Sequence, residues 1–260
     1  MTAAAASPPE PRMTAARWHG LALIATLLLT WQMLYWFAGA QALTPPLATA
    51  RFLVHLLGTA AFWGHLLETA HAFGWAVVIA VGAGLLIGLP LGLHRLGGEI
   101  AELMLVALYS IPKITLYPIV LLAFGIGLPA KIAFGAMHGF IPVALFAMAG
   151  VRQVSPTLLR TARVLRLSNA STIRTIVLPA ALPEIATGLR IGFSLTLIGT
   201  LLGEMFGSQR GLGYLLMTAI GLQNVPVIMA VTLLLVLFAA GMSVLLLRLN
   251  RLTGARNHPK

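Results

Sequence analysis

Long apolar segments separated by short polar or proline-containing breaks dominate the chain. A helix that spans a bilayer needs about 20 consecutive, mainly apolar residues. The segments that approach this length are Trp18–Ala38, Ala72–Leu93, Leu103–Phe124, Ile132–Gly150, Ile185–Met205 and Val225–Leu247. The pattern therefore predicts an all-α membrane protein with about six transmembrane helices.

The breaks between these segments predict the rest of the organisation. Phe52–Leu67 is apolar but short, and we interpret it as a surface or re-entrant helix. The third segment is interrupted at Ile111-Pro112-Lys113, where proline removes a backbone donor. Phe206–Asn224 is rich in glycine and predicts a loop. The expected division is a disordered cytoplasmic tail at 1–17, one transmembrane domain at 18–250 and a basic cytoplasmic tail at 251–260.

Composition supports lipid as the solvent and excludes several kinds of chemistry. The chain is 59% hydrophobic and only 9% charged, whereas about a quarter of a soluble domain is charged. It contains no cysteine, and its six acidic residues are all glutamates. Disulfides, thiolate metal sites and Ser-His-Asp triads are therefore excluded. No enzyme activity is expected of this chain.

Basic residues are unevenly distributed between the two sides that six alternating helices define. Cytoplasmic loops carry an excess of lysine and arginine. With a cytoplasmic N-terminus, the inner side receives Arg12, Arg17, Arg95, Arg152, Arg160, Arg163, Arg166, Arg174, Arg248, Arg251, Arg256 and Lys260. The outer side receives Arg51, Lys131 and Arg210. This predicts a multi-pass membrane protein with both termini in the cytoplasm, and it accounts for the net charge of +11 without nucleic acid.

The segment 151–179 is the one long polar stretch between predicted spans. Ser155-Pro156 is typical of a helix start. Arg160, Arg163 and Arg166 recur every third residue, which places them on one broad helical face. Such a basic helix docks on a partner protein or lies on anionic lipid, and the residues alone leave both interpretations open.

Two charged residues within or beside the apolar segments are candidates for a solute path. Glu204 is interpreted either as a gate or pore-lining residue or as an interfacial residue at a loop boundary. Lys113 follows a helix-breaking proline, so it either meets an anionic solute or extends to the interface. We favour the interfacial position for Lys113.

His65, Glu68 and His71 lie three residues apart. They lack the His-Glu-x-x-His spacing of zinc enzymes, and solvation at the membrane interface is preferred to metal binding. The prediction is that no metal is bound.

Several short motifs occur in a specific order along the chain. They are Gly88-Leu89-Pro90-Leu91-Gly92, Ser110-Ile111-Pro112, Phe124-Gly125-Ile126-Gly127, Ile176-Val177-Leu178-Pro179, Gly203-Glu204-Met205 and Gly211-Leu212-Gly213-Tyr214. By these motifs the chain resembles the permease subunits of binding-protein-dependent ABC importers of the nitrate/sulfonate/taurine type. The resemblance is close from Ser110 to Tyr214.

The resemblance implies the type I ABC importer permease fold, with a cytoplasmic coupling helix between the fourth and fifth spans. It implies two cytoplasmic ABC ATPase subunits, a second permease subunit that is identical or homologous, and a periplasmic or extracellular solute-binding protein. ATP and magnesium would be bound by the ATPase, and this chain would bind no cofactor. The function that the resemblance implies is ATP-driven import of a small solute across the bacterial plasma (inner) membrane.

The resemblance also implies site residues. Where the family has Glu-Ala-Ala this chain has Arg160-Thr161-Ala162, and Arg166 occupies the position of a glycine in a sharp turn. The predicted ATPase-coupling residues are Arg160, Thr161, Ala162, Arg163, Leu165, Arg166, Ile176, Leu178 and Pro179. The predicted translocation-path residues are Lys113, Phe146 and Glu204. The two arginine substitutions leave unaltered, adapted or lost coupling as alternatives.

Other classes of protein fit the sequence less well. A stand-alone secondary transporter or channel would need buried acids for ion coupling, and Glu204 is the best candidate. The chain is not itself an ATPase, because none of its lysines follows a glycine as a phosphate-binding loop requires. The solute, and whether the permease dimer is homomeric, do not follow from the sequence.

Overall fold

The computed structural model describes residues 13–254, with side chains described for residues 18–248. The helices are α1 (Met13–Ala38), α2 (Pro46–Leu57), α3 (Ala60–Leu93), α4 (Arg95–Ser110), α5 (Tyr117–Phe124), α6 (Leu128–Arg152), α7 (Pro156–Val164), α8 (Asn169–Thr172), α9 (Leu178–Gly207), α10 (Leu212–Gly221) and α11 (Val225–Gly254). A 3₁₀ turn at Lys113–Leu116 precedes α5, and a π-helical turn at Ile173–Val177 precedes α9. The greater part of the tails predicted at 1–17 and 251–260 lies outside the described residues.

The described residues contain five helices that are long and apolar enough to cross a membrane. A sixth span results if α4 and the segment Lys113–Phe124, which meet at an angle of 85°, count as one broken span. The predicted all-α fold is therefore confirmed. The bend falls at the predicted interruption, since Ile111 is extended, with φ −68° and ψ 131°, as expected for a residue before proline.

Two predicted boundaries are wrong. Phe52–Leu67 is not one surface helix, because Gly58 and Thr59 end α2 and α3 then runs for 34 residues from Ala60. His65 and Glu68 make the start of α3 look too polar for a span, but they hydrogen-bond to Gly211 and Lys131 in other parts of the chain. The predicted loop Phe206–Asn224 contains α10, because apolar helix-forming residues follow its first glycines.

Helix α6 forms the centre of the fold and packs most extensively against α3 and α9. Small residues permit this close approach. A Cβ atom on Gly88 of α3 would overlap the backbone of Ala144 in α6, and one on Gly139 of α6 would overlap Thr196 of α9. The three helices therefore pack almost backbone to backbone.

Charged side chains collect at the two ends of this bundle. At one end Lys131 at the start of α6 lies beside Glu68 and Glu204. At the other end Arg152 at the end of α6 pairs with Glu102 at 2.6 Å. The segment 153–178 extends from this second end, so the two ends match the two sides that the basic residues predict.

Candidate functional site

Helix α7 begins where the sequence predicts. The Ser155 hydroxyl accepts a hydrogen bond from the Thr157 N–H at 3.3 Å, and Pro156 occupies the first turn. An N-cap serine satisfies one of the free donors at the helix start, and proline has no N–H to leave unpaired there. The start of α7 is therefore fixed by local sequence.

One side of α7 is anchored to its own subunit. Ala162 is buried, and Leu159 packs against a cluster that includes Val154, Val177 and Ala181. Val177 and Ala181 belong to the π-helical turn and to α9. The orientation of α7 is therefore coupled to the turn and first residues of α9, here called the base of α9.

The opposite side of α7 carries an exposed stripe, here called the α7 stripe, formed by Thr157, Arg160, Thr161 and Val164. These residues follow the i, i+3, i+4, i+7 spacing of one helical face. Val164 is 82% exposed. Within the described residues the guanidinium of Arg160 has no partner. The face is polar at its centre and has one projecting apolar side chain.

Arg166 lies beyond the end of α7 and adopts φ +51°. The Leu167 N–H donates to the Ala162 carbonyl and the Arg166 N–H donates to the Arg163 carbonyl, both at 3.0 Å. This pair of bonds is the Schellman motif, which places a residue with positive φ after the helix. Arg166 therefore occupies a turn position that favours glycine, as its position in the motif predicts. It does not share a helical face with Arg160 and Arg163.

Of the remaining predicted coupling residues, Leu165 ends α7, whereas Ile176, Leu178 and Pro179 lie where the chain enters α9. Ile176 packs against the cluster beneath α7, whereas Leu165 and Leu178 are exposed. Pro179 stands in the first turn of α9, where its missing N–H costs little. The predicted coupling residues thus belong to one connected region, although not all of them reach its surface.

The most deeply buried charges form a second candidate site, here called the polar network. Lys131 is 1% exposed and its Nζ donates to Glu68 Oε1 at 2.8 Å. The same Nζ donates to the Arg210 carbonyl at 3.1 Å and lies 3.8 Å from Glu204 Oε1. A buried charge is tolerated when it is paired and hydrogen-bonded, and Lys131 meets both conditions.

Glu204 is fully buried and organises the start of α10. Its carboxylate accepts hydrogen bonds from the Thr69 hydroxyl at 2.8 Å and from the Gly213 N–H at 3.0 Å. The Leu212 N–H donates to Thr69 Oγ1 at 2.7 Å. Gly211 adopts φ +119°, and a Cβ there would overlap the Glu204 carboxylate. The network therefore ties α3, α6, α9 and α10 together.

The sequence does not reveal this network, because it predicts Lys131 in an outer loop and Glu68 at the end of a surface helix. One available signal is that Glu68, Lys131 and Glu204 all end apolar segments on the same predicted side. Oppositely charged side chains that lie at the same depth in a membrane are expected to form ion pairs.

The three predicted translocation-path residues occupy different parts of the fold. Lys113 donates to the Tyr109 carbonyl at 3.2 Å and lies 4.7 Å from the Tyr109 ring centroid. Phe146 of α6 contacts α9 at Gly188. Glu204 lies in the polar network. Within the described residues no hydrogen bond, ion pair or ring contact joins the three, so their shared role stays a prediction.

His65, Glu68 and His71 take part in separate contacts. The Gly211 N–H donates to His65 Nδ1 at 3.2 Å, and the Trp75 indole N–H donates to His71 Nε2 at 3.0 Å. Glu68 pairs with Lys131. Among the described residues no group of side chains is arranged to hold a metal ion.

Comparisons with known proteins identify the class to which this fold and these motifs belong. Residues 80–258 match the family described as binding-protein-dependent transport system inner membrane component. The chain belongs to this family, and it is thus a permease subunit of the ABC importer class and not an enzyme.

Individual relatives agree with this class. SsuC of Bacillus subtilis, a permease protein assigned to aliphatic sulfonates transport, is 29% identical over 77% of this chain and 73% of its own length. The taurine transport system permease protein TauC of Escherichia coli is 34% identical over 55% of this chain. The match spans about half the length of TauC, at 54%. A chain of the MetNI methionine ABC transporter, solved in inward-facing conformations, shares the fold with a TM-score of 0.60 and 21% identity, covering 78% of this chain and 96% of the other.

Proposed function

We propose that this chain forms half of the membrane pore of an ATP-driven importer and that α7 is its coupling helix. A cytoplasmic ABC ATPase, which binds ATP and magnesium, docks on α7, and a second permease subunit completes the pore. A solute-binding protein delivers the solute from outside the bacterial inner membrane. The exposed α7 stripe, rigidly connected to α9, is the observation that carries the proposal.

The contacts of α7 support docking on a protein over adsorption to lipid. A helix that lies on a membrane needs its apolar side free to enter the acyl region. The apolar side of α7, with Leu159 and Ala162, is already packed against the base of α9. The free side is polar at its centre, at Arg160 and Thr161, and has Val164 exposed at its end. It matches a partner groove that offers hydrogen bonds, an acidic group and an apolar contact.

The connection from α7 to α9 supports a mechanical role. Alternating access requires that movement at the ATPase reach the spanning helices. Leu159 and Ala162 pack where the chain enters α9, and α9 lies against α6 from Gly150 to Lys131. A rigid-body displacement of α7 would therefore move the two central helices.

The solute class is proposed from the named relatives. SsuC is assigned to aliphatic sulfonates and TauC to taurine, and both kinds of molecule carry a sulfonate. We therefore propose a small organic anion as the transported solute.

The proposal is tested by co-purification of the tagged chain with the ABC ATPase encoded beside it, in mild detergent. Replacement of residues 158–168 by a Gly/Ser linker is expected to abolish ATPase recovery. Arg160→Glu is expected to lower recovery by more than tenfold, because a buried interfacial charge is left facing a like charge. The matched control Arg174→Glu makes the same charge change on an exposed residue outside the α7 stripe.

Loss of the ATPase with the linker and with Arg160→Glu, but not with Arg174→Glu, supports docking through the stripe. If no ATPase follows a well-folded native chain, the importer assignment fails for this chain, and ion-coupled uptake by a stand-alone transporter becomes the function to test.

A further inference from the structure

A polar stripe lies on one side of α9 close to the middle of the helix. Thr187, Arg190 and Ser194 are spaced i, i+3, i+7 and share one face. With a rise of 1.5 Å per residue, Arg190 lies about 18 Å from the first residue of α9 and about 26 Å from the last. This group, here called the α9 stripe, is therefore at the depth of the membrane interior.

The α9 stripe points away from the centre of the subunit. The opposite face of α9, with Gly188, Gly192 and Gly199, packs against α6. Phe193, on the same helix, contacts Phe73 of α3, with ring centroids 4.8 Å apart. By contrast Ser194 is exposed and Arg190 is only half-buried. The stripe thus lies on a surface that the single subunit leaves open.

Arg190 differs from the other charges of the membrane interior. Within the polar network Lys131 is paired with Glu68, and Glu204 accepts hydrogen bonds from Thr69 and Gly213. Lys113 donates to a backbone carbonyl. Within the described residues the guanidinium of Arg190 has neither a hydrogen-bond nor an ion-pair partner. An unpaired arginine is costly in a bilayer, and ionisable residues within transmembrane helices face the interior of the helix bundle or a water-filled cavity.

The neighbouring hydroxyls complete a set of donors. Ser194 Oγ donates to the Arg190 carbonyl at 3.2 Å and Thr187 Oγ1 donates to the Pro183 carbonyl at 3.0 Å. Each hydroxyl is satisfied without a ligand, and rotation about one side-chain bond redirects it outward. Glu184, the acid nearest along α9, is about 9 Å away along the helix axis and on a different side, so it does not neutralise Arg190.

We propose that Thr187, Arg190 and Ser194 form a binding site for the oxyanion group of the solute, a sulfonate or a carboxylate, on the translocation path. This inference rests on the proposed import function, and it places the solute's path through the membrane along α9. The guanidinium fork bonds two oxygens of such a group at once. In a dimer with twofold symmetry two equivalent stripes lie at the same depth, and a bound anion offsets the repulsion between their arginines.

The test uses the absence of cysteine from the chain. Ser194→Cys introduces a single thiol, whose modification is followed by the mass of this subunit in membrane vesicles that contain the complete transporter. The probes are a sulfonatoethyl and a trimethylammonioethyl methanethiosulfonate, which differ in charge. After division by their rates with a free thiol, the anionic probe is expected to react about tenfold faster than the cationic probe.

The arginine is tested by second substitutions. Arg190→Gln in the Ser194→Cys chain is expected to remove the preference for the anionic probe. The matched control Arg95→Gln removes the same charge from a 96% exposed side chain and is expected to retain the preference. Taurine in excess is expected to slow modification only while Arg190 is present.

Two results would overturn the inference. Absence of reaction with either probe would place Ser194 against lipid or another helix, and an equal preference with and without Arg190 would exclude a role for this charge. ATPase recovery in the same preparations separates the two proposals. If the ATPase is recovered and the probes show no preference, the anion site alone fails, whereas loss of the ATPase contradicts the importer assignment itself.

Discussion

At Arg166 the backbone takes a conformation that glycine adopts with less strain. Its φ of +51° follows from the Schellman bonds that end α7. A left-handed conformation costs an L-residue with a Cβ about 1–2 kcal/mol. The turn is therefore kept by the packing of α7 on the base of α9, against the preference of the residue itself.

Arg166→Gly is expected to raise the free energy of unfolding by about 0.5–1 kcal/mol. Glycine removes the backbone strain of the folded state, and this gain exceeds the stability lost because glycine gives the unfolded chain more conformational entropy. The measurement is the thermal unfolding midpoint in detergent. Arg163→Gly, at a helical position in α7, is the matched control and is expected to lower stability by about 1 kcal/mol. A decrease for both variants would show that Arg166 makes a stabilising contact of its own.

In the polar network, stability is expected to depend on the pairing of buried charges. Lys131→Met leaves the carboxylate of Glu204 buried without a cation, and loss of one partner from a buried pair costs about 3–5 kcal/mol. A markedly lower thermal midpoint is expected. Lys131→Met with Glu204→Gln is expected to recover part of that loss, because the uncompensated charge is removed.

A double-mutant cycle over these four proteins measures the coupling between Lys131 and Glu204. The exposed pair Arg95–Glu99 is the control, because surface pairs contribute about 0–1 kcal/mol. Additive effects in the buried cycle would mean that Glu68 alone compensates Lys131.

At the scale of elements, the contact between α3 and α6 depends on small residues at fixed positions. Gly88 lies against Ala144, whereas Gly82, on the same helix, has no neighbouring atoms in the way of a Cβ. The two glycines provide a matched pair that separates packing from helix propensity.

Gly88→Ala is expected to lower the thermal midpoint, since the added methyl group forces α3 away from α6; overpacking of this kind typically costs about 1–3 kcal/mol. Gly82→Ala is expected to raise stability by up to about 1 kcal/mol, because alanine is the better helix former. Equal effects of the two substitutions would contradict backbone-to-backbone packing of these helices.

At the scale of the whole molecule, the two charged ends predict its orientation in the membrane. The end with Arg152 and α7 should face the cytoplasm and the end with Lys131 the outside. In the cysteine-free chain, Ile126→Cys and Arg95→Cys report on opposite ends at exposed positions.

A membrane-impermeant maleimide is expected to label Ile126→Cys in spheroplasts and Arg95→Cys only after the membrane is opened. The opposite pattern would invert the orientation and place α7 out of reach of a cytoplasmic ATPase. Labelling of both residues in closed spheroplasts would indicate that the bent pair α4 and α5 does not cross the membrane.

Local sequence predicted several parts of the site. Ser155-Pro156 predicted the start of α7, and the motif position of Arg166 predicted a turn that favours glycine. Proline at 112 predicted the broken span, because it removes a donor and forces the preceding residue into an extended conformation. These predictions succeeded because each depends on the chemistry of a few adjacent residues.

The errors occurred where distant residues decide the outcome. The start of α3 looks too polar for a span because the sequence does not show that Glu68 pairs with Lys131, 63 residues later. The same limitation hid α10, whose first turn is fixed by Glu204 and Thr69. The identity of the exposed face of α7 depends on which side packs against α9.

The sequence by itself determined that the chain is an all-α membrane protein with several apolar helices long enough to cross a bilayer, and to which family it belongs, and it predicted which side carries the positive charge. These properties follow from apolar length, charge distribution and short motifs, which are all local or additive along the chain. Only the tertiary structure decided which charges are paired and which, like Arg190, have no partner within the described subunit. Pairing is a property of distances between helices, and those distances are fixed by packing of side chains that lie far apart in the sequence.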